Sequence, residues 1–307
     1  MSVGAEPAGR TAAAADAAGL FDTARTSGKT RLAIQLGPGT AWLIAFFAIP
    51  IVLILVYSFY SFSDGQMSSA LTFDNYQRAL GTEVYRTVLF KSLRYGVIVT
   101  IACLLIGYPV AYVLARAGAK RRHLLFLALI IPFWTSIVVR TFAWKIMLGT
   151  NGLVNYLLRD LGLIDLPIKF LYTEQAVLVG LTHVFLPFMI LPLYAVLEKI
   201  DPSLEEAAMD LGANRLRTFL RVILPLSLPG LSTGCMLVFI LTIGSYLTPD
   251  ILGGPSELMI SNVIRNEYYV TFNWPFGGAL ASIFLIITLA MIVAYNRAFK
   301  FDRMAER

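Results

Sequence analysis

Residues 175–197 read QAVLVGLTHVFLPFMILPLYAVL, a run of 23 residues without a single Asp, Glu, Lys or Arg. As a helix rising 1.5 Å per residue it would be about 35 Å long, enough to cross the roughly 30 Å of hydrocarbon in a bilayer. Five further blocks, nearly free of charge, flank it at 41–62, 93–115, 124–148, 223–248 and 277–296. They leave the chain 57% apolar and only 14% charged, where a soluble globular chain carries about 25% charged residues. The pattern predicts an all-α, polytopic membrane protein with six transmembrane helices. The first block is too long for a signal-peptide core and no small-residue cleavage site follows it, so it is expected to remain as a helix.

The net charge of the 307-residue chain is +6, but its basic residues form neither the single patch nor the stripe that nucleic acid requires. They alternate by loop instead. Outside the spans, sixteen lie in the N-terminal tail, the second-to-third loop, the fourth-to-fifth loop and the C-terminal tail; six lie in the other loops. The positive-inside rule then places both termini in the cytoplasm, with the segments around 74–85, 151–172 and 255–270 on the periplasmic side. The stretch TAAAADAAG near the N-terminus reads as flexible, dividing the chain into a tail, 1–36, and a membrane domain, 37–307. Cys103 and Cys235 fall inside spans and read as small apolar residues rather than as a disulfide or metal ligands.

No Asp or Glu occupies the middle of any span, so a proton relay has nothing to run on and ion-coupled transport loses ground. His183 fits a hydrogen-bonded interhelical residue better than a titrating switch. Pro50, Pro109, Pro132, Pro187 and Pro192 each remove a backbone donor inside a span, which bends helices and is also ordinary in membranes. Gly230 and Gly234 have the GxxxG spacing that permits close helix contact. Gly28-Lys29-Thr30 lacks the earlier glycine of a phosphate loop, because that position is Thr23. The chain is therefore expected to hold no nucleotide or other cofactor, and no nucleophile, metal-ligand or paired-carboxylate set supports an enzyme.

Beyond 175–197 the chain runs KIDPSLEEAAMDLGANRLRTFLRVILPLSLPG from Lys199. Asp201 or Ser203 can cap a short helix, Pro202 suits its first turn, and Glu205 and Glu206 sit favourably near its positive end. Leu204, Ala207, Ala208 and Leu211 form a narrow apolar face, and Gly212 can end the helix. Such a helix either docks on a protein partner or lies on the lipid surface.

These residues resemble the cytoplasmic EAA loop of ATP-binding cassette (ABC) importer permeases: Glu-Ala-Ala, three residues, Gly, nine residues, Ile, one residue, Leu-Pro. Glu206, Ala207, Ala208, Gly212, Leu224 and Pro225 match, and Val222 stands at the Ile position. Three further stretches resemble the spermidine/putrescine-type branch: LTFDNYQRAL from Leu71, PFWTSIVVRTFAWKIMLGTNGLVN from Pro132, and GSYLTPDILGGPSELMISNVIRNEYYVTFNWPFGGA from Gly244. That branch also serves opines, amino-acid derivatives and ferric iron.

The resemblance implies the type I importer permease fold in the bacterial inner membrane. It also implies a heterodimer with a second permease, two ATPase subunits that bind ATP and Mg, and a periplasmic solute-binding protein. The loop at 199–225 would couple to an ATPase through Glu205, Glu206, Ala207, Ala208, Asp210, Leu211 and Gly212. For a polyamine, with charged ends and an apolar middle, the pathway would need aromatic faces and a few carboxylates. Trp134, Trp144, Tyr246 and Asp250 are the candidates, although Asp250 equally suits an ion pair with Arg265. Arg140, on an expected stripe with Phe133, Ile137 and Trp144, suits snorkelling or pairing with a carboxylate better than contact with a cationic solute. A secondary transporter and a membrane-anchored scaffold are the competing classes; neither needs an EAA loop.

Overall fold

The computed structural model describes residues 28–63 and 65–304, with side chains over 36–63 and 65–297. Most of the tail expected at 1–36 therefore lies outside the described residues. Contacts divide the chain into two units between Val56 and Tyr57.

The first unit contains α1 (Gly28–Leu43), a π-helical turn (Ile44–Ala48) and all but the last residue of α2 (Ile49–Tyr57). Leu36–Tyr57 forms an apolar span of 22 residues. Pro50 offers no N–H, and the turn before it widens so that Ile49 N–H reaches the Ile44 carbonyl. A second π turn, Phe219–Ile223, precedes Pro225 in the same way.

The second unit begins with a hairpin of β1 (Tyr60–Ser63) and β2 (Gln66–Leu71), with a bulge between Tyr60 and Ser61 and Gly65 at φ +75°. The helices α3 (Asp74–Gly81), α4 (Glu83–Arg116), α5 (Ala119–Phe133), α6 (Ile137–Met147), α7 (Leu153–Asp160) and α8 (Glu174–Leu197) follow. After them come α9 (Ser203–Asp210), α10 (Arg215–Thr218), α11 (Leu224–Ile243), α12 (Leu247–Leu252), α13 (Ile260–Tyr269) and α14 (Trp274–Met304).

Two expectations are corrected here. The first span stops at Tyr57 rather than residue 62, because the Ser-rich stretch before Gly65 turns back as a strand. The third span is not one straight helix: α5 and α6 meet at an angle of 88°. Thr135 donates its hydroxyl to the Pro132 carbonyl at 2.6 Å, and Ser136 caps α6 by accepting from Val138 N–H at 3.2 Å, so side chains satisfy the backbone at the break. Arg140 therefore cannot be placed by a continuous rise from residue 124, and the stripe from Phe133 to Trp144 is cut. Among the described residues, five continuous helices are long and apolar enough to cross a membrane, and the bent pair makes a sixth segment if it is taken as one span.

The core forms where α8 packs between α4 and α11. Val99 and Cys103 of α4, Leu181, Met189 and Leu193 of α8, and Val238 of α11 are fully buried there. Gly230 and Gly234 make that packing possible. A Cβ on Gly230 would lie 2.7 Å from the Pro192 carbonyl oxygen, and one on Gly234 would lie 2.8 Å from Met189 Sδ. At one end of the second unit, α3, α13 and the start of α14 enclose a smaller core of Ala79, Ile260, Phe276 and Leu280. Tyr172 N–H bonds the Leu252 carbonyl near this end, whereas α9 joins α4 at its opposite terminus.

Candidate functional site

Helix α9 is assembled by the local rules that its sequence suggested. Asp201 Oδ1 accepts the Ser203 N–H at 2.9 Å, and this bond holds the Asp201 carboxyl below the usual carboxylate range. Any stability this bond adds is therefore present above the ordinary carboxylate pKa and is lost as pH falls through the lowered value of Asp201. Glu205 and Glu206 occupy the first turn. At the far end Ala213 N–H reaches the Ala208 carbonyl at 3.0 Å, and Gly212 N–H reaches the Met209 carbonyl at 2.9 Å, with Gly212 at φ +85°. This pair of bonds is a Schellman motif, and Gly212 takes its left-handed position.

The two adjacent glutamates have opposite surroundings. Glu205 turns inward: Oε1 accepts from Arg116 Nε at 2.8 Å and also from Arg116 Nη2, while Oε2 accepts from the Tyr112 hydroxyl at 2.8 Å. Arg116 Nη1 completes the anchor by donating to the Ile200 carbonyl at 2.9 Å. Glu206, Ala207, Asp210 and Leu211 face outward, Leu211 with 90% of its surface exposed, and Ala208 is half-buried. The outward surface is apolar and acidic, whereas a helix resting on lipid headgroups would carry Lys and Arg on its polar face. Sequence reasoning missed Arg116 and Tyr112 as partners of Glu205. Their only local signal was a Tyr and an Arg four apart at the end of a span.

The four pathway candidates are not gathered into one site. Trp134 stands at the α5–α6 break with 85% of its surface exposed. Trp144 packs edge-on against His183, ring centroids 5.7 Å apart. His183 Nδ1 is buried with no hydrogen-bond partner among the described residues, so the expected interhelical bond is not made by that atom. Asp250 pairs with Arg265 at 3.1 Å, and the Arg265 guanidinium lies 5.4 Å from the Tyr246 ring. Tyr246 is fixed through its carbonyl, which accepts from Asn262 Nδ2 at 2.8 Å. Arg140 lies 5.6 Å from the Phe133 ring, a cation–aromatic contact across the break.

Among the described residues, five apolar spans, a broken sixth segment, and a loop helix clamped against the end of α4 fit a polytopic α-helical membrane protein. A family model described as the binding-protein-dependent transport system inner membrane component matches residues 37–301, and the chain belongs to this family. It is thus a multi-pass inner-membrane permease of a binding-protein-dependent ABC importer.

Among curated relatives, the spermidine/putrescine transport system permease protein PotB of Haemophilus influenzae is 43% identical over 85% of this chain and 91% of its own length. PotB of Escherichia coli K12 is 42% identical over 84% and 94%. The inner membrane ABC transporter permease protein YdcU of the same strain is 32% identical over 88% and 90%. Among solved structures, the bacterial alginate ABC transporter bound to its periplasmic protein has a chain of the same fold, at a TM-score of 0.68 and 19% identity, covering 87% of this chain and 92% of that one.

Proposed function

We propose that this chain is one of two permease subunits of an ATP-driven importer for a polyamine of the putrescine or spermidine class. The observation that carries the reading is identity above 40%, across more than four fifths of the chain, to two permeases named for those solutes. In this reading the sister permease supplies the other half of the pathway, and a periplasmic binding protein delivers the solute. Two ATPase subunits bind ATP and Mg and perform hydrolysis, while this chain is not catalytic. The outward surface of α9 (Glu206, Ala207, Asp210, Leu211) meets an ATPase, and both termini are cytoplasmic.

Asp250 is the strongest of the pathway candidates. Its pair with Arg265 is about one-third exposed on both sides, and such pairs are worth only about 0–1 kcal/mol. A solute ammonium would compete with the guanidinium for this carboxylate, and Arg265 would have to swing away from both Asp250 and the Tyr246 ring to admit it. Uptake of labelled putrescine and spermidine by the reconstituted complex tests this. Asp250→Asn is expected to raise the KM for putrescine by about tenfold, as loss of a charge-assisted contact worth ~1.5 kcal/mol implies, and Trp134→Ala to reduce uptake. A parent complex that imports another solute but no polyamine would overturn the solute assignment. Unchanged uptake in both variants would remove these residues from the pathway.

The orientation has a separate test. A single cysteine placed at Asp160 should react with an impermeant maleimide added to intact spheroplasts. Labelling only from inverted vesicles would reverse the topology.

A further inference from the structure

We infer that α4 is a transmission rod gripped at both ends by the same chemistry, with Tyr112 and Arg116 holding Glu205 at one end and Lys91 and Tyr95 holding Glu257 at the other. The inference rests on the proposed docking of α9 to an ATPase.

Each grip uses a basic residue and a tyrosine four apart, which share one face of a helix. At the α9 end the guanidinium fork and the Tyr112 hydroxyl take both oxygens of Glu205. At the other end Tyr95 donates its hydroxyl to Glu257 Oε2, and Lys91 Nζ lies 3.8 Å from the same oxygen while donating to the neighbouring Ser256 carbonyl. Burial by itself would raise the Glu257 carboxyl; hydrogen bonds from Tyr95 and Ser256 and the charges of Lys91 and Arg94 hold it below the usual carboxylate range instead. All four charged side chains in the two ion pairs are at most 20% exposed, so solvent screens them less than it screens surface pairs.

Neither glutamate is a neighbour of α4 in sequence, yet both belong to segments that a transport cycle would need to move. Glu205 sits on the loop helix. Glu257 closes the short turn Pro255–Glu257, just before α13, and Ser92 of α4 also accepts the Ile260 N–H at 2.8 Å. Helix α13 carries Arg265, the partner of Asp250, and Asn262, which fixes Tyr246. Lys91 and Arg116 are about 37 Å apart along one helix, which carries Pro109 between them. Close packing at Gly96 against Ile243 and at Gly107 against Met189 seats this helix tightly on α11 and α8, the kind of rigid packed element through which coupling between distant sites travels. Tyr112, Arg116, Lys91 and Tyr95 are thus positioning residues.

The test uses the assembled complex in proteoliposomes and reads the ratio of ATP hydrolysis with solute-loaded binding protein to hydrolysis without it. Arg116→Ala and Glu257→Gln should each lower this stimulation by about fivefold or more, the scale of a typical coupling free energy. Tyr112→Phe, which keeps the ring packing, should lower it in the same direction. The decisive variant combines Arg116→Ala with Glu257→Gln. Sites this far apart without shared partners ordinarily show additive effects, whereas a rod already released at one end has little left to lose, so the double variant should match the worse single one. Charge exchange, Arg116→Glu with Glu205→Arg, should recover part of the stimulation. Multiplying losses in the double variant, or parent-like stimulation in both Arg116→Ala and Tyr112→Phe, would overturn the rod. A parent complex showing no stimulation would instead overturn the importer reading on which the rod rests.

Discussion

Gly212→Asp is expected to abolish transport-linked ATP hydrolysis while leaving membrane insertion intact. A Cβ at Gly212 meets nothing within 4 Å, so the bundle has no reason to unfold. The backbone there has φ +85°, however, and a side chain in the left-handed region costs roughly 1–2 kcal/mol at a helix end that has few other contacts. Aspartate also adds negative charge at the negative end of α9, beside Asp210, where the helix dipole opposes it. Strain and repulsion both act on the surface that carries the exposed Leu211. Glu206→Lys attacks the other end of α9 by setting a cation against the positive N-terminus. Both variants should reach the membrane at parent levels and show a tenfold or greater loss of solute-stimulated hydrolysis, with stimulation converted to free energy at about 1.4 kcal/mol per decade. Coupled uptake at parent rates in Gly212→Asp would show that α9 is not the transmission element.

Gly230→Val should produce the opposite separation, lowering the stability of the fold rather than the coupling surface. Its Cβ would stand 2.7 Å from the Pro192 carbonyl oxygen and 3.0 Å from Val196 Cγ2. The first of these is backbone and cannot rotate away, so α8 and α11 must part. Overpacking of this kind costs roughly 1–3 kcal/mol, which in a chain of this size lowers the melting temperature by about 2–5 °C. Gly118→Val is the control, because a Cβ there meets nothing within 4 Å and its extended backbone suits a β-branched residue. Thermal unfolding of detergent-solubilised protein, followed by size-exclusion chromatography, distinguishes the two. Equal melting temperatures would mean that the α8–α11 contact is looser than described.

The alternation of charged loops and apolar blocks was enough to reveal six apolar segments, because a bilayer imposes one length and one composition on whatever crosses it. Helix α9 was legible for a different reason: its proline, acidic first turn, apolar positions and terminal glycine are all local signals acting within a dozen residues. The family resemblance rests in part on those same residues, together with Leu224, Pro225 and three stretches elsewhere in the chain. The β-hairpin was not legible, because Tyr60–Ser63 is only four residues long and follows an apolar helix directly, and only its pairing with Gln66–Leu71 makes it a strand.

Composition and local spacing thus determined which segments are long and apolar enough to cross a membrane and which loop folds as a short helix. Only the tertiary structure decided that Glu205 turns inward to Arg116 and Tyr112 while Glu206 turns outward, although the two are adjacent and identical in side chain. It also decided that Asp250 is neutralised by Arg265, that the third apolar block breaks by 88°, and that Gly230 and Gly234 serve the contact with α8. The physical reason is range. Periodicity, capping and hydropathy act over a few residues, whereas an ion pair between residues 89 apart exists only after the helices that carry them have packed.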